Sequence, residues 1–159
     1  MVYRFYAAAE SPYPHSKQIS FPGGRFEETD QHLLQTARRE TYEEFGIPES
    51  DIQTVGQLSG LYIPVSNFWV QPYVGYIPIE PVFQIDPVEV DALIEVPLST
   101  LLHPQTRTTR DIATHQGHIL RDMPCFVVDE KIIWGATAMM LQEFLHILNK
   151  EGINDPSSL

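Results

Sequence analysis

The stretch Gly23-Gly24-Arg25-Phe26-Glu27-Glu28-Thr29-Asp30, running on into Arg39-Glu40-Thr41-Tyr42-Glu43-Glu44-Phe45-Gly46-Ile47, decides how the rest of the chain is read. A double glycine frees the backbone and lets other groups come close to it. Thr29 or Asp30 is then expected to cap a helix. Residues 31–45 contain no Gly or Pro, and Gly46 with Pro48 just beyond is a stop signal. On that helix Glu40, Glu43 and Glu44 stand at i, i+3 and i+4, on one face about a third of the circumference wide. Like charges so placed cost a few tenths of a kcal/mol per pair on a bare helix, and a cation on the face relieves that cost. Oxygen-only ligands suit a hard ion such as Mg²⁺ or Mn²⁺, which keeps several waters and completes its shell from a substrate phosphate. The plainer reading is a solvated acidic face with Arg39 paired to Glu43 at i, i+4. Spacing alone leaves both standing.

The whole stretch resembles the box of the Nudix hydrolases: a Gly, five residues, an acid, seven residues, then Arg-Glu-apolar-any-Glu-Glu-any-Gly-apolar. Gly24, Arg39, Glu40, Glu43, Glu44, Gly46 and Ile47 match. The acid is Asp30 rather than Glu, one extra residue separates it from Arg39, and Thr41 stands at an apolar position. The first two departures occur together in the coenzyme A pyrophosphatase branch. Phe21-Pro22-Gly23-Gly24-Arg25, Asp30, Thr36-Ala37, Arg39-Glu40, Glu43-Glu44 and Gly46 follow that version, and the lead-in from His15 and the Trp134-Gly135-Ala136-Thr137-Ala138 run resemble the same branch. Its upstream Arg-Ser pair is absent; the region reads Tyr6-Ala7-Ala8-Ala9-Glu10.

The resemblance implies a Nudix-type α/β/α sandwich with a mixed β-sheet and a metal-dependent hydrolysis of a diphosphate linkage. Glu40, Glu43 and Glu44 are the implied catalytic and metal residues, with Glu40 and Glu44 holding Mg²⁺ or Mn²⁺ and Glu43 sharing or supporting. Gly23, Gly24 and Arg25 are the implied substrate-binding residues; Arg39, Asp30 and Gly46 are structural support. The general base stays open between these glutamates and an acid from a later loop. The expected substrate is coenzyme A or an acyl-CoA, cleaved to 3′,5′-ADP and (acyl-)4′-phosphopantetheine. Rivals are a Nudix pyrophosphatase for ADP-ribose, NADH or a nucleoside triphosphate, which the missing upstream arginine favours, and a non-catalytic Nudix-fold binding module. The mark of the latter is a lost box glutamate, and all three are present.

The 159 residues suit a single domain over 1–159, with 150–159 as a frayed tail. A hydrophobic share of 43% and a charged share of 19% place the chain among globular proteins. No apolar run approaches the length of a membrane span, and the first residues do not read as a signal peptide. Cys125 is the sole cysteine, so no internal disulfide is expected, and a reduced, cytoplasmic setting is. With net charge −11 and no cationic patch beyond Arg38-Arg39, a nucleic-acid polymer is not the expected partner, whereas a small phosphate ester is, provided that a metal supplies positive charge. A homodimer is left open.

Along the chain, strands are expected at 1–10, 18–21, 52–61, 68–77 and 89–96, and a hairpin at 123–128 and 131–134 turning on Asp129-Glu130. Short and long helices follow at 99–102, capped by Ser99, and 138–149, where Met139, Leu141, Phe144, Leu145 and Leu148 give an apolar face. Tyr62-Ile63-Pro64-Val65-Ser66-Asn67-Phe68 resembles a loop of some coenzyme A pyrophosphatases, and such loops line the substrate pocket in this fold. On their own, Tyr62, Phe68, Trp69 and Tyr73 read as core. His115-Gln116-Gly117-His118 has metal-like spacing but lacks a third Cys or His at a convincing distance. Cys125, inside an apolar run, reads as a buried structural thiol.

Overall fold

Residues 4–10, 18–114 and 117–153 are described by a computed structural model. Their contacts cluster in two units, one formed by Met1–Phe21 with Asp91–Leu159 and the other by Pro22–Val90.

In the first unit β1 (Arg4–Glu10) runs antiparallel between β2 (Gln18–Ser20) and β7 (Ala92–Pro97), with Phe5 opposite Val96 and Ala9 opposite Ile19. A second sheet has the order β10-β9-β8, from β8 (Arg107–Ala113), β9 (Ile119–Val128) and β10 (Lys131–Trp134). The β9–β10 hairpin turns on Asp129 and Glu130, as expected, and both carry positive φ, 46° and 66°. That is the twist a two-residue hairpin loop requires. Two helices complete the unit: α2 (Leu98–Leu102) and α3 (Gly135–Lys150).

Period-2 burial along β7 puts Ile94 and Val96 inside, and the helical stripe Ala138, Leu141, Leu145 meets them together with Ile19, Leu98, Leu101, Phe126, Val128 and Ile133. Thr137 Oγ1 donates to the Ile19 carbonyl at 3.0 Å, so the start of α3 is tied to β2 by a buried hydrogen bond. Cys125 is buried, and burial pushes its thiol up, in keeping with a structural role.

In the second unit, α1 (Leu33–Phe45) is followed by a 3-10 turn at Glu49–Asp51 and two antiparallel pairs. β3 (Gln53–Gln57) pairs with β6 (Tyr73–Tyr76), with a register shift between Thr54 and Gly56; β4 (Leu61–Ile63) pairs with β5 (Phe68–Val70). The segment after β6 returns to the end of α1. Gln84 N donates to the Phe45 carbonyl at 2.9 Å and Asp86 N to that of Glu44 at 3.1 Å. Phe45, 1% exposed, meets Phe83 edge to face. Gly46 closes α1 in the left-handed region, φ 70°, its N–H bonded to Tyr42 O at 2.7 Å. A side chain there would meet the backbone of Gln84, which is why the stop must be glycine.

Several expectations are corrected. The cap of α1 is His32, whose Nδ1 accepts from Gln35 N at 3.1 Å, not Thr29 or Asp30; the Asp30 carboxylate is engaged elsewhere. Helix α2 starts at Leu98 with Pro97 before it and no side-chain cap, so Ser99 lies inside it. The strand expected over 52–61 divides into β3 and β4, the one over 68–77 into β5 and β6, and that over 89–96 begins only at Ala92 because Asp86 turns the preceding residues: Val88 N reaches Asp86 Oδ1 at 2.8 Å and Val90 N the Asp86 carbonyl at 2.9 Å. Strand β8 was not expected; its mostly exposed Arg107-Thr108-Thr109-Arg110-Asp111 lacks an alternating apolar pattern. Tyr62 and Trp69 are 52% and 66% exposed rather than core, while Phe68 and Tyr73 are half-buried. The helix expected over 138–149 extends from Gly135 to Lys150. His115, residues 1–3 of the first expected strand, the lead-in at His15 and residues 154–159 of the expected tail lie outside the described residues; His118 closes the β8–β9 turn through its carbonyl to Thr114 N at 2.8 Å.

Candidate functional site

The glycine loop and α1 belong to the same unit, and Arg39 holds them together. Its Nε and Nη2 donate to the two oxygens of Asp30, each at 3.1 Å, and Nη2 also donates to the Arg25 carbonyl at 2.9 Å. Nη1 donates to Glu40 Oε1 at 2.9 Å and Glu43 Oε2 at 2.8 Å. One planar fork therefore serves three carboxylates and a carbonyl, a geometry a lysine does not reproduce. The Arg39–Glu43 pair expected at i, i+4 is present within this larger network.

Asp30 is 5% exposed and also accepts from Glu27 N at 3.0 Å and Thr36 Oγ1 at 2.9 Å. The Arg39 guanidinium first, and the Glu27 N–H second, hold its carboxyl down at about 2. Asp30 first, with Glu40 and Glu43, raises the proton affinity of Arg39 in turn, and Arg39 is charged throughout. Asp30 thus anchors Arg39 and leaves the helix cap to His32, two residues further on.

The three box glutamates have different surroundings. Glu44 is 4% exposed, and its Oε1 accepts from Gly23 N at 2.9 Å. Glu40 is pressed against Gly24: a Cβ on Gly24 would lie 2.2 Å from Glu40 Oε1. Glu43 points outward, with its side chain 47% exposed. Burial pushes the Glu40 carboxyl up, with the charges of Glu43 and Glu89 acting in the same direction and Arg39 opposing them. Glu89 is the residue that sequence reasoning missed. Its charge acts on Glu40 because Gln84 N and Asp86 N bond to the carbonyls at the end of α1 and Glu89 N bonds back to Asp86, and nothing local in Pro87-Val88-Glu89-Val90 signals this.

Gly24 needs its missing side chain for the approach of Glu40, whereas a Cβ on Gly23 would meet nothing within 4 Å, so Gly23 contributes its N–H rather than room. Arg25 lies with its guanidinium carbon 4.8 Å from the centre of the Phe68 ring. Among the described residues no three His, Cys, Asp or Glu side chains are drawn into one closed metal-binding group. The donor chemistry nonetheless fits a hard divalent cation, which takes one or two carboxylates and leaves the remaining positions to water and phosphate. Glu40 and Glu44, brought beside the glycine backbone, supply those two.

An α/β chain whose glycine loop is folded back onto an acidic helix is the class this geometry defines. A family model for the Nudix domain matches residues 3–115. The chain is 34% identical over 135 residues to an uncharacterized Nudix hydrolase NudL of Yersinia enterocolitica (serotype O:8 / biotype 1B), covering 85% of this chain and 68% of the relative. It is 34% identical over 128 residues to a NudL of Yersinia pestis (strain Pestoides F), covering 80% and 63%. It therefore belongs to the Nudix hydrolase family, and spans about two thirds of the length of these curated relatives. In fold it is similar to a solution structure of the E. coli ORF135 protein, with TM-score 0.51, 18% identity, and coverage of 93% of this chain and 83% of that one. A C. elegans Ap4A hydrolase binary complex gives TM-score 0.50 at 18% identity over 58% and 67% of the two chains.

Proposed function

We propose that the protein hydrolyses the diphosphate linkage of coenzyme A or an acyl-CoA, releasing 3′,5′-ADP and (acyl-)4′-phosphopantetheine. The observation that carries the hydrolytic reading is the placement of Glu44 and Glu40 against the backbone of Gly23 and Gly24, with Arg39 fixing the loop to the helix. Mg²⁺ or Mn²⁺ held by Glu40 and Glu44 would offset the diphosphate charge and lower the pKa of a bound water. The chain's own residues do the rest. Gly23 N–H orients Glu44, and the Asp30–Arg39 pair keeps the fork aimed at Glu40 and Glu43. The proton of the attacking water would go to one of the box glutamates or to an acid from a later loop.

The choice of coenzyme A is supported by Asp30 with its one-residue insertion, the Phe21-to-Arg25 run and the Trp134-to-Ala138 run. The absent upstream arginine supports a second reading, in which ADP-ribose, NADH or a nucleoside triphosphate is the substrate. A substrate panel with product identification separates the two. Coenzyme A should give equal amounts of an adenosine bisphosphate and a thiol-bearing phosphate, with a higher kcat/KM than ADP-ribose, NADH or dATP. A higher kcat/KM for ADP-ribose would remove the coenzyme A assignment and leave the hydrolytic site in place.

A further inference from the structure

Arg25 follows the glycine pair but is not paired with any of the acids around it. Among the described residues its guanidinium has no carboxylate or carbonyl partner, although the protein carries a net charge of −11 and Glu27, Glu28 and Asp30 follow closely in sequence. It lies instead on an aromatic ring, with Cζ 4.8 Å from the centroid of Phe68, inside the range of about 6 Å over which a guanidinium plane is attracted to a ring face. Both ends of the stack are fixed. Phe68 is half-buried in β5, paired with Ile63 across the β4–β5 ladder. The Arg25 carbonyl accepts from Arg39 Nη2 at 2.9 Å, the guanidinium that also holds Glu40 and Glu43, and the neighbouring Gly24 lies against Glu40. Arg25 itself is exposed, so its guanidinium lies over Phe68 while remaining open to solvent. Trp69 and Tyr62 do not compete for this place, because strand alternation puts them on the opposite side of the hairpin from Phe68.

We propose that Arg25 is a specificity residue of the diphosphate site, the guanidinium on Phe68 forming the floor on which a nucleobase attached to the substrate diphosphate stacks. The inference rests on the hydrolytic reading above. A planar cation backed by a ring attracts the face of a heteroaromatic base, while its edge N–H groups remain available to phosphate oxygens. Lysine keeps the charge but has no plane.

The test is calorimetric titration of the Mg²⁺-loaded protein with ADP and, separately, with inorganic pyrophosphate. Arg25→Lys and Phe68→Leu are each expected to weaken ADP about tenfold, the loss typical of one missing stacking partner, while pyrophosphate binding stays within about twofold. Wild-type ADP affinity in Arg25→Lys would overturn the proposal. So would an equal loss of ADP and pyrophosphate in Arg25→Ala, which would make Arg25 a phosphate contact. Should Phe68→Leu lower the melting temperature, Phe68→Tyr keeps the ring and must bind ADP as the wild type does; a tenfold loss there also overturns the stack. A wild-type protein that binds neither ADP nor pyrophosphate would sink the hydrolytic reading and this inference with it. Binding of both, unaffected by Arg25→Lys, removes the stack alone.

Discussion

Adding one methyl group at Gly24 should separate activity from stability. In Gly24→Ala the new Cβ would stand 2.2 Å from Glu40 Oε1, 2.4 Å from its Cδ and 2.6 Å from Oε2, where ordinary contact begins at 3.4 Å. The Glu40 carboxylate must therefore retreat by more than an ångström. It is the far end of a flexible side chain, so the fold loses little beyond the 2.9 Å hydrogen bond from Arg39 Nη1, about 1 kcal/mol for a partly exposed pair. That is roughly 2–4 °C of melting temperature for a chain of this size. Displacing a reacting group by about 1 Å, in contrast, costs on the order of a hundredfold in rate, or about 2.7 kcal/mol of barrier. The assay is kcat/KM for coenzyme A with Mg²⁺, by quantifying both products, alongside thermal unfolding of the same samples. Gly23→Ala is the control: its Cβ meets nothing within 4 Å, and the N–H to Glu44 is kept, so it should stay within about threefold of wild type. If Gly24→Ala retains activity within about fivefold, or if Gly23→Ala loses as much, the close approach of Gly24 and Glu40 has no part in catalysis.

Three further outcomes follow from the same network. Adding Mg²⁺ or Mn²⁺ should raise the melting temperature by mass action, and Glu44→Gln should abolish the rise; an undiminished ion response would take Glu44 out of the metal site. Asp30, held at about 2 against an ordinary 3.8, contributes stability that is present in full above its unfolded value and is lost as pH falls from about 4 towards 2. Asp30→Asn should lower the melting temperature at neutral pH and flatten that acid limb; identical acid limbs in mutant and wild type would refute the pairing with Arg39. Gly46→Ala should cost about 1–2 kcal/mol for its left-handed φ of 70° alone, and more because its Cβ would lie 2.9 Å from Gln84 O. Urea unfolding measures the loss, and a cost below about 0.5 kcal/mol would show that the 84–86 segment does not pack on the helix end.

The chain itself determined what depends on neighbours in sequence. Gly46 and Pro48 stop α1, Asp129-Glu130 turns the β9–β10 hairpin, and the apolar spacing of Ala138, Leu141 and Leu145 makes one face of α3. Each follows from a backbone preference or a side-chain period that acts within a few residues. The box glutamates were legible for the same reason, since three positions on one helical face share a side wherever that helix lies. The tertiary structure decided what those side chains meet. Thr29 and Asp30 are the acceptable caps by type, yet His32 caps the helix while Arg39, nearly two turns into it, claims both oxygens of Asp30. Glu89 adds its charge to Glu40 only because Gln84 and Asp86 bond back to the end of α1, and Tyr62 and Trp69 stay exposed only because nothing in their own unit covers that side of β4–β5. A hydrogen bond or a burial between residues tens of positions apart has no local propensity to announce it, so such contacts emerge only once the chain has closed on itself.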